Sequence, residues 1–175
     1  MYQQDGDSSL DTLRAAIDRI IPADDFPGAW DAGVGDYIRR QLAGDLRHLA
    51  PLMDAGLASL DAEARTVAGY LFAALPPDGQ DRLLADVERG VVSTSWPISP
   101  EEFFATLVRL TAEGYYGDPG NGGNREAVSW RMVGYDPRLP QEVPPWRETQ
   151  REVVAPEMRS PDVPRQQAPE QQEVP

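Results

Sequence analysis

At 175 residues the chain has room for one ordinary domain, and its 29 acidic against 16 basic residues leave a net charge of -13. The acid is spread rather than blocked, so it reads as a solvated face, and it sets nucleic acid and anionic membrane surfaces aside as partners. The absence of Cys excludes disulfides, thiolate nucleophiles and Cys-ligated metals, and no apolar run approaches the roughly 18 residues that insertion into a membrane requires.

Residues 1–8 read as a flexible lead-in with no early basic region, no apolar core of signal-peptide length and no twin Arg. The expectation is a cytoplasmic chain, or one exported beside a partner that carries the signal. Leu10, Leu13, Ile17, Ile20 and Ile21 recur at three- and four-residue steps, which predicts a helix opened by Ser8 and Asp11 as a capping pair and ended by Pro22. Val34, Ile38 and Leu42, with Tyr37 on the flank, predict a second helix that Asp31 can cap. A third covers 46–58 (Leu46, Leu49, Leu52, Met53, Leu57), with Pro51 tolerable only near a first turn. A fourth runs from Asp61 to Leu75, turning Ala64, Val67, Ala68, Leu71 and Phe72 inward until Pro76 and Pro77 stop it.

A fifth, short helix spans Asp78 to Arg89, with Leu83, Leu84 and Val87 as its stripe and Gly90 as its terminator. The sixth is the most fully specified: Ser99 is its N-cap, Pro100 takes the first helical position, and Glu102 completes a Ser-x-x-Glu box. Phe103, Phe104, Leu107, Val108 and Leu110 form its buried face, and Gly114 ends it. Only Val91-Val92 suggests a strand. The fold expected is all-α, a bundle of five or six short helices over residues 9–135 closed by a Gly- and aromatic-rich loop segment. Residues 136–175 hold 9 of the 17 Pro and little aliphatic periodicity, so they read as an extended or disordered Pro-rich tail with Trp146 and Val153-Val154 as its anchors.

Candidate chemistry is sparse. Asp24-Asp25 lie in a loop between Pro residues, and Glu101-Glu102 occupy a first helical turn where the macrodipole favours negative charge, so neither pair reads as an acid–base couple. His48 is the only histidine and has no triad spacing around it. The Gly-rich run 117–125 lacks the preceding strand and the Gly-Lys-Ser/Thr ending of a phosphate loop, and the chain has no Lys at all. What the run offers instead is permissive backbone ringed by Tyr115, Tyr116, Trp130, Met132 and Tyr135, suited to capping the helices or to forming an interface.

The order Glu113-Gly114-Tyr115-Tyr116-Gly117-Asp118-Pro119, then Gly122-Gly123-Asn124-Arg125, then Trp130, Met132 and Gly134-Tyr135 resembles the signature of the gluconate 2-dehydrogenase subunit 3 family. Residues 15–22, Gly33-Val34 to Ile38, the Leu75-Pro76 break before Gln80 and Leu83-Leu84, and Glu102-Phe103-Phe104 agree with it, so the resemblance spans roughly residues 10–137. It implies an all-helical small subunit that accompanies a large FAD-dependent dehydrogenase of the glucose-methanol-choline type, often with a cytochrome c subunit as electron acceptor. The large subunit would hold the FAD and oxidise an alcohol group of a sugar, sugar acid or polyol. The small one would support its folding, stability or export, forming a hetero-oligomer with no catalytic, cofactor or metal residues of its own. The family's common twin-arginine signal is missing here, and the Pro-rich tail is an addition, one that could wrap the partner as an extended arm. The residues expected to meet the partner are Tyr115, Tyr116, Asp118, Asn124, Arg125, Trp130, Tyr135 and Trp146. Two other readings compete: a free-standing adaptor that works through its tail, and a small enzyme with a carboxylate site near Tyr115 and Asp118.

Overall fold

In the structure, a computed structural model that describes residues 4–137, the best-capped stretch of the sequence becomes the central helix. The Ser99 hydroxyl accepts the Glu102 amide at 3.1 Å and donates to the Glu101 carboxylate at 2.8 Å, and Pro100 opens the first turn of α5 (Pro100–Tyr116). Phe103, Leu107 and Leu110 are fully buried along one face of it, with Phe104 and Val108 half-buried on the flank. Around α5 stand α1 (Gln4–Ile20), α2 (Val34–Ala43), α3 (Ala50–Ala68), α4 (Pro77–Glu88) and the short α6 (Val128–Met132), each of which touches it. Among the described residues these six α-helices are joined by turns and short 3-10 segments, with no strand; Val91 is exposed irregular backbone and Val92 packs on the core. Trp146, Val153-Val154 and the tail beyond residue 137 lie outside the described residues.

Several helix ends differ from expectation for identifiable reasons. α1 begins at Gln4, four residues before Ser8, whose hydroxyl is used inside the helix to donate to Asp61 at 3.2 Å. The residue that caps α2 is Gly33, at φ 84, and not Asp31. Residues 50–68 are one helix where two, over 46–58 and 61–75, were expected; within it Gly56 is a packing surface, with the Phe103 ring against its bare Cα, and a Cβ there would sit 2.0 Å from Phe103 Cδ2. That helix stops at Gly69, at φ 80, and not at Pro76-Pro77. Val67 and Ala68, expected inside, are exposed, while Phe72 enters the core from a separate 3-10 turn, Phe72–Ala74. Leu46 and Leu49 belong to a turn before α3, and Gly114 lies within α5, which runs on to Tyr116.

Two carboxylates on α3 are buried. Asp61 accepts the Thr12 hydroxyl at 2.9 Å and the Phe72 amide at 3.0 Å besides Ser8, which joins α1, α3 and the 72–74 turn. Glu63 accepts the Ser93 and Thr94 amides at 2.6 and 2.9 Å and the Thr94 hydroxyl at 2.5 Å, fixing the connection between α4 and α5. Burial pushes the Glu63 carboxyl up, but the Thr94 hydroxyl and the two amides outweigh it and hold the group below its ordinary value.

Asp61→Ala leaves a buried amide and a buried hydroxyl without partners, and at about 1–3 kcal/mol for each such group it should lower the melting temperature by on the order of 10 °C in circular dichroism. Glu63 has a folded pKa below its unfolded value of 4.5, so its ionised form stabilises the fold above that pH and the contribution fades as pH falls through the folded pKa. Urea melts should therefore show Glu63→Gln least stable relative to the unsubstituted chain near neutral pH, with the gap closing in acid.

Candidate functional site

Residues 113–135 turn back over the end of α5, and glycine decides how closely. A Cβ on Gly114 would lie 2.8 Å from Tyr37 Cδ1, so α5 can cross α2 only because that atom is missing. A Cβ on Gly123 would lie 2.1 Å from the Gly114 carbonyl oxygen, which seats the returning backbone directly on α5. Tyr115 is 2 % exposed and donates its hydroxyl to the Pro27 carbonyl at 2.8 Å; burial pushes its pKa up and keeps it a donor. Tyr37 donates to Glu113 at 3.2 Å, and Glu113 also takes Arg109 at 2.9 Å.

The loop is then held by its own polar side chains. The Asp118 carboxylate accepts the Gly120 amide at 2.7 Å and caps the 3-10 turn Pro119–Asn121. Asn124, fully buried, donates to the Gly117 carbonyl at 2.8 Å and accepts the Ser129 amide at 2.9 Å, so one side chain closes the loop and starts α6. The Arg125 amide donates to the Ala32 carbonyl at 2.9 Å, and its guanidinium pairs with Asp36 of α2. Asn124, Glu126 and Ala127 have φ of 44, 55 and 54, a left-handed run that costs non-glycine residues about 1–2 kcal/mol each. Asn tolerates this through local hydrogen bonds; Ala127 has no polar group to offset it.

Beyond the strained run, Val128 and Ser129 are buried, and Trp130 meets Tyr135 edge-on with ring centroids 5.1 Å apart. The Tyr135 amide donates to the Trp130 carbonyl at 2.7 Å. Met132, Val133 and Tyr135 are left exposed, at 36 %, 69 % and 40 %.

The expected partner-facing residues therefore divide. Tyr115 and Asn124 are internal supports. Tyr116 is exposed against the Tyr115 ring, Asp118 and Arg125 are surface residues engaged in the loop and with α2, Trp130 and Tyr135 form one cluster, and Trp146 lies outside the described residues. Sequence reasoning missed Val133, since a five-residue helix is too short to display a periodicity, and missed Arg40 and Asp36, which lie beside this segment. The adjacent Arg39-Arg40 in a Lys-free chain was the available signal. Tyr115 and Asp118 do not assemble an acid–base site, because the first is bonded to Pro27 and the second to Gly120. Asp24 caps its own loop through the Phe26 amide, His48 is exposed in the 47–49 turn, and no group of three or more His, Cys, Asp or Glu among the described residues is placed to hold a metal. A hollow of about 590 Å³ between α1 and the 72–74 turn is lined partly by paired groups, Asp18 with the Trp30 amide and Arg19 with Asp81, beside Asp11 and Arg14.

Asn124→Ala removes both of the buried bonds and places Ala in a left-handed conformation. It should cost about 2–4 kcal/mol in urea unfolding, whereas Asp118→Ala, on an exposed turn, should cost under about 1 kcal/mol.

No curated protein and no solved structure is matched by this chain. The model of the family described as gluconate 2-dehydrogenase subunit 3 matches residues 7–137, which takes in the helical bundle and the whole closing segment. This chain thus belongs to the gluconate 2-dehydrogenase subunit 3 family.

Proposed function

We propose that the chain is a non-catalytic accessory subunit that binds and stabilises a large FAD-dependent dehydrogenase of the glucose-methanol-choline type. In this reading the flavin resides in the partner, which oxidises an alcohol group of a sugar, sugar acid or polyol and, where a cytochrome c subunit is present, passes the electrons to it. The observation that carries the reading is the division of labour within residues 113–135. Buried Tyr115 and Asn124 hold that segment on the bundle through their hydrogen bonds, while the cluster of Trp130, Met132, Val133 and Tyr135 stands at the surface.

Aromatic residues and Met are the types that anchor interfaces, and an exposed apolar group on an acidic surface gains most when another protein covers it. The Asn124 bonds and the Arg125–Asp36 pair fix the base of the cluster on the bundle, which limits the ordering entropy to be lost on docking. Membership in a family of dehydrogenase subunits supports the same assignment.

The test is to express the large oxidoreductase subunit alone, with this chain, and with Val133→Asp or Tyr135→Ala variants, measuring co-purification, flavin content and dye-linked dehydrogenase activity. The variants should keep the bundle's melting temperature, because both positions are exposed, and weaken co-purification by roughly tenfold or more. A large subunit that is equally soluble, flavin-loaded and active without this chain, and that does not bind it, would refute the assignment. Capture through residues 136–175 alone would favour the adaptor reading.

A further inference from the structure

Arg39, Arg40 and Arg125 meet around Gly122 in an open groove of about 520 Å³ in which Asp36 is the one acidic lining residue. In a chain of net charge -13 this is a local reversal of sign. Asp36 is shared, paired with Arg125 and 3.6 Å from Arg39, so three guanidiniums face one carboxylate. Arg40 has no ion-pair partner among the described residues.

Its position is nevertheless defined. Arg40 lies in the last turn of α2, where the helix dipole favours a cation, and its guanidinium rests over Gly122, where a Cβ would lie 2.8 Å from Cζ. This segment is already secured to the turn before α2 by the Arg125 amide on the Ala32 carbonyl and to α2 by the Arg125–Asp36 pair, to which Arg40 adds no bond. Arg40 is exposed and carries no ion pair among the described residues, so its guanidinium is open to an external carboxylate.

We infer that this groove is a second docking point for the large subunit, taking carboxylates of an Asp- or Glu-bearing surface loop. The inference rests on the accessory-subunit reading and extends it to a named surface and a partner chemistry. Guanidinium forks match carboxylates two bonds at a time; Arg40 offers one such fork, and Arg39, 3.6 Å from the shared Asp36, adds positive charge beside it. The chain's overall negative field repels extended polyanions, whereas a short acidic loop feels mainly the nearest charges at physiological ionic strength. Groove and apolar cluster lie on one segment, Gly122 and Arg125 before α6 and Val133 and Tyr135 after it, so the charged contact would set the register of the apolar one.

The experiment is a binding titration of the full chain with the flavin-loaded large subunit, comparing the unsubstituted chain, R39Q/R40Q, and R65Q/R82Q, which removes the same charge from exposed positions outside the groove. R39Q/R40Q should weaken binding about tenfold or more, chiefly through slower association, and the difference should shrink between about 50 and 500 mM NaCl. R65Q/R82Q should stay within about twofold. Unchanged affinity in R39Q/R40Q, or an equal loss in R65Q/R82Q, would overturn the groove assignment and leave the accessory reading standing. Failure of the unsubstituted chain to bind would overturn both. Should R39Q/R40Q melt below the unsubstituted chain, the salt series on the latter decides: affinity that is flat in NaCl excludes an ionic docking point.

Discussion

The backbone of Gly123 lies on the carbonyl of Gly114 with no space between them for a side chain. From that contact the rest of the closing segment is placed: it puts Asn124 where one amide side chain reaches both Gly117 and Ser129, and Ser129 is the first turn of α6. α5, which carries Gly114, is itself set by glycine contacts on two sides, the Phe103 ring on Gly56 of α3 and the Tyr37 ring against Gly114. Extra methyl groups in packed positions of this kind usually cost about 1–3 kcal/mol, because neither ring nor backbone can retreat. The helices therefore meet at distances dictated by absent atoms.

Where apolar surface is scarce, buried carboxylates make the connections. Asp61 gathers α1 and the 72–74 turn, and Glu63 gathers residues 93–94, so two short connecting segments are held from a single helix. The contrast with Arg19 and Asp81 is instructive: that pair has ideal bidentate geometry at 2.6 and 2.8 Å, but it is exposed, and exposed pairs contribute about 0–1 kcal/mol. Distance alone ranks the surface pair beside the buried groups; desolvation reverses the ranking, because an unpaired buried amide has no water to turn to.

Much of this was legible in the sequence. The periodic stripes of α1, α2, α4 and α5 and the Ser99 cap correspond to physical features confined to a few neighbouring residues. The misread boundaries all turn on glycine or on a distant partner. Asp61 resembled a helix start and is a buried anchor for Thr12 and Phe72; Gly114 resembled a terminator and is a crossing point with Tyr37; Gly69, inside the stripe that Leu71 and Phe72 continue, is the true terminator. Ser8 resembled a cap because its partner, Asp61, is 53 positions away. In the closing segment the residue types were legible as a group, but the split into internal supports and surface cluster was not, since Tyr115 and Tyr116 are neighbours in sequence with opposite exposures.

The long reach of the closing segment also bears on how the molecule is made. Tyr115 bonds to a carbonyl 88 positions earlier, and Arg125 pairs with a carboxylate 89 positions earlier. At about 5–20 residues per second, α2 waits roughly 5–20 s on the ribosome before its cover is synthesised. Until then Val34 and Tyr37 lack their seal and the Trp130 cluster does not exist. A nascent or prematurely ended chain thus has no means of presenting that cluster, which joins the surface only after every helix of the bundle has been synthesised.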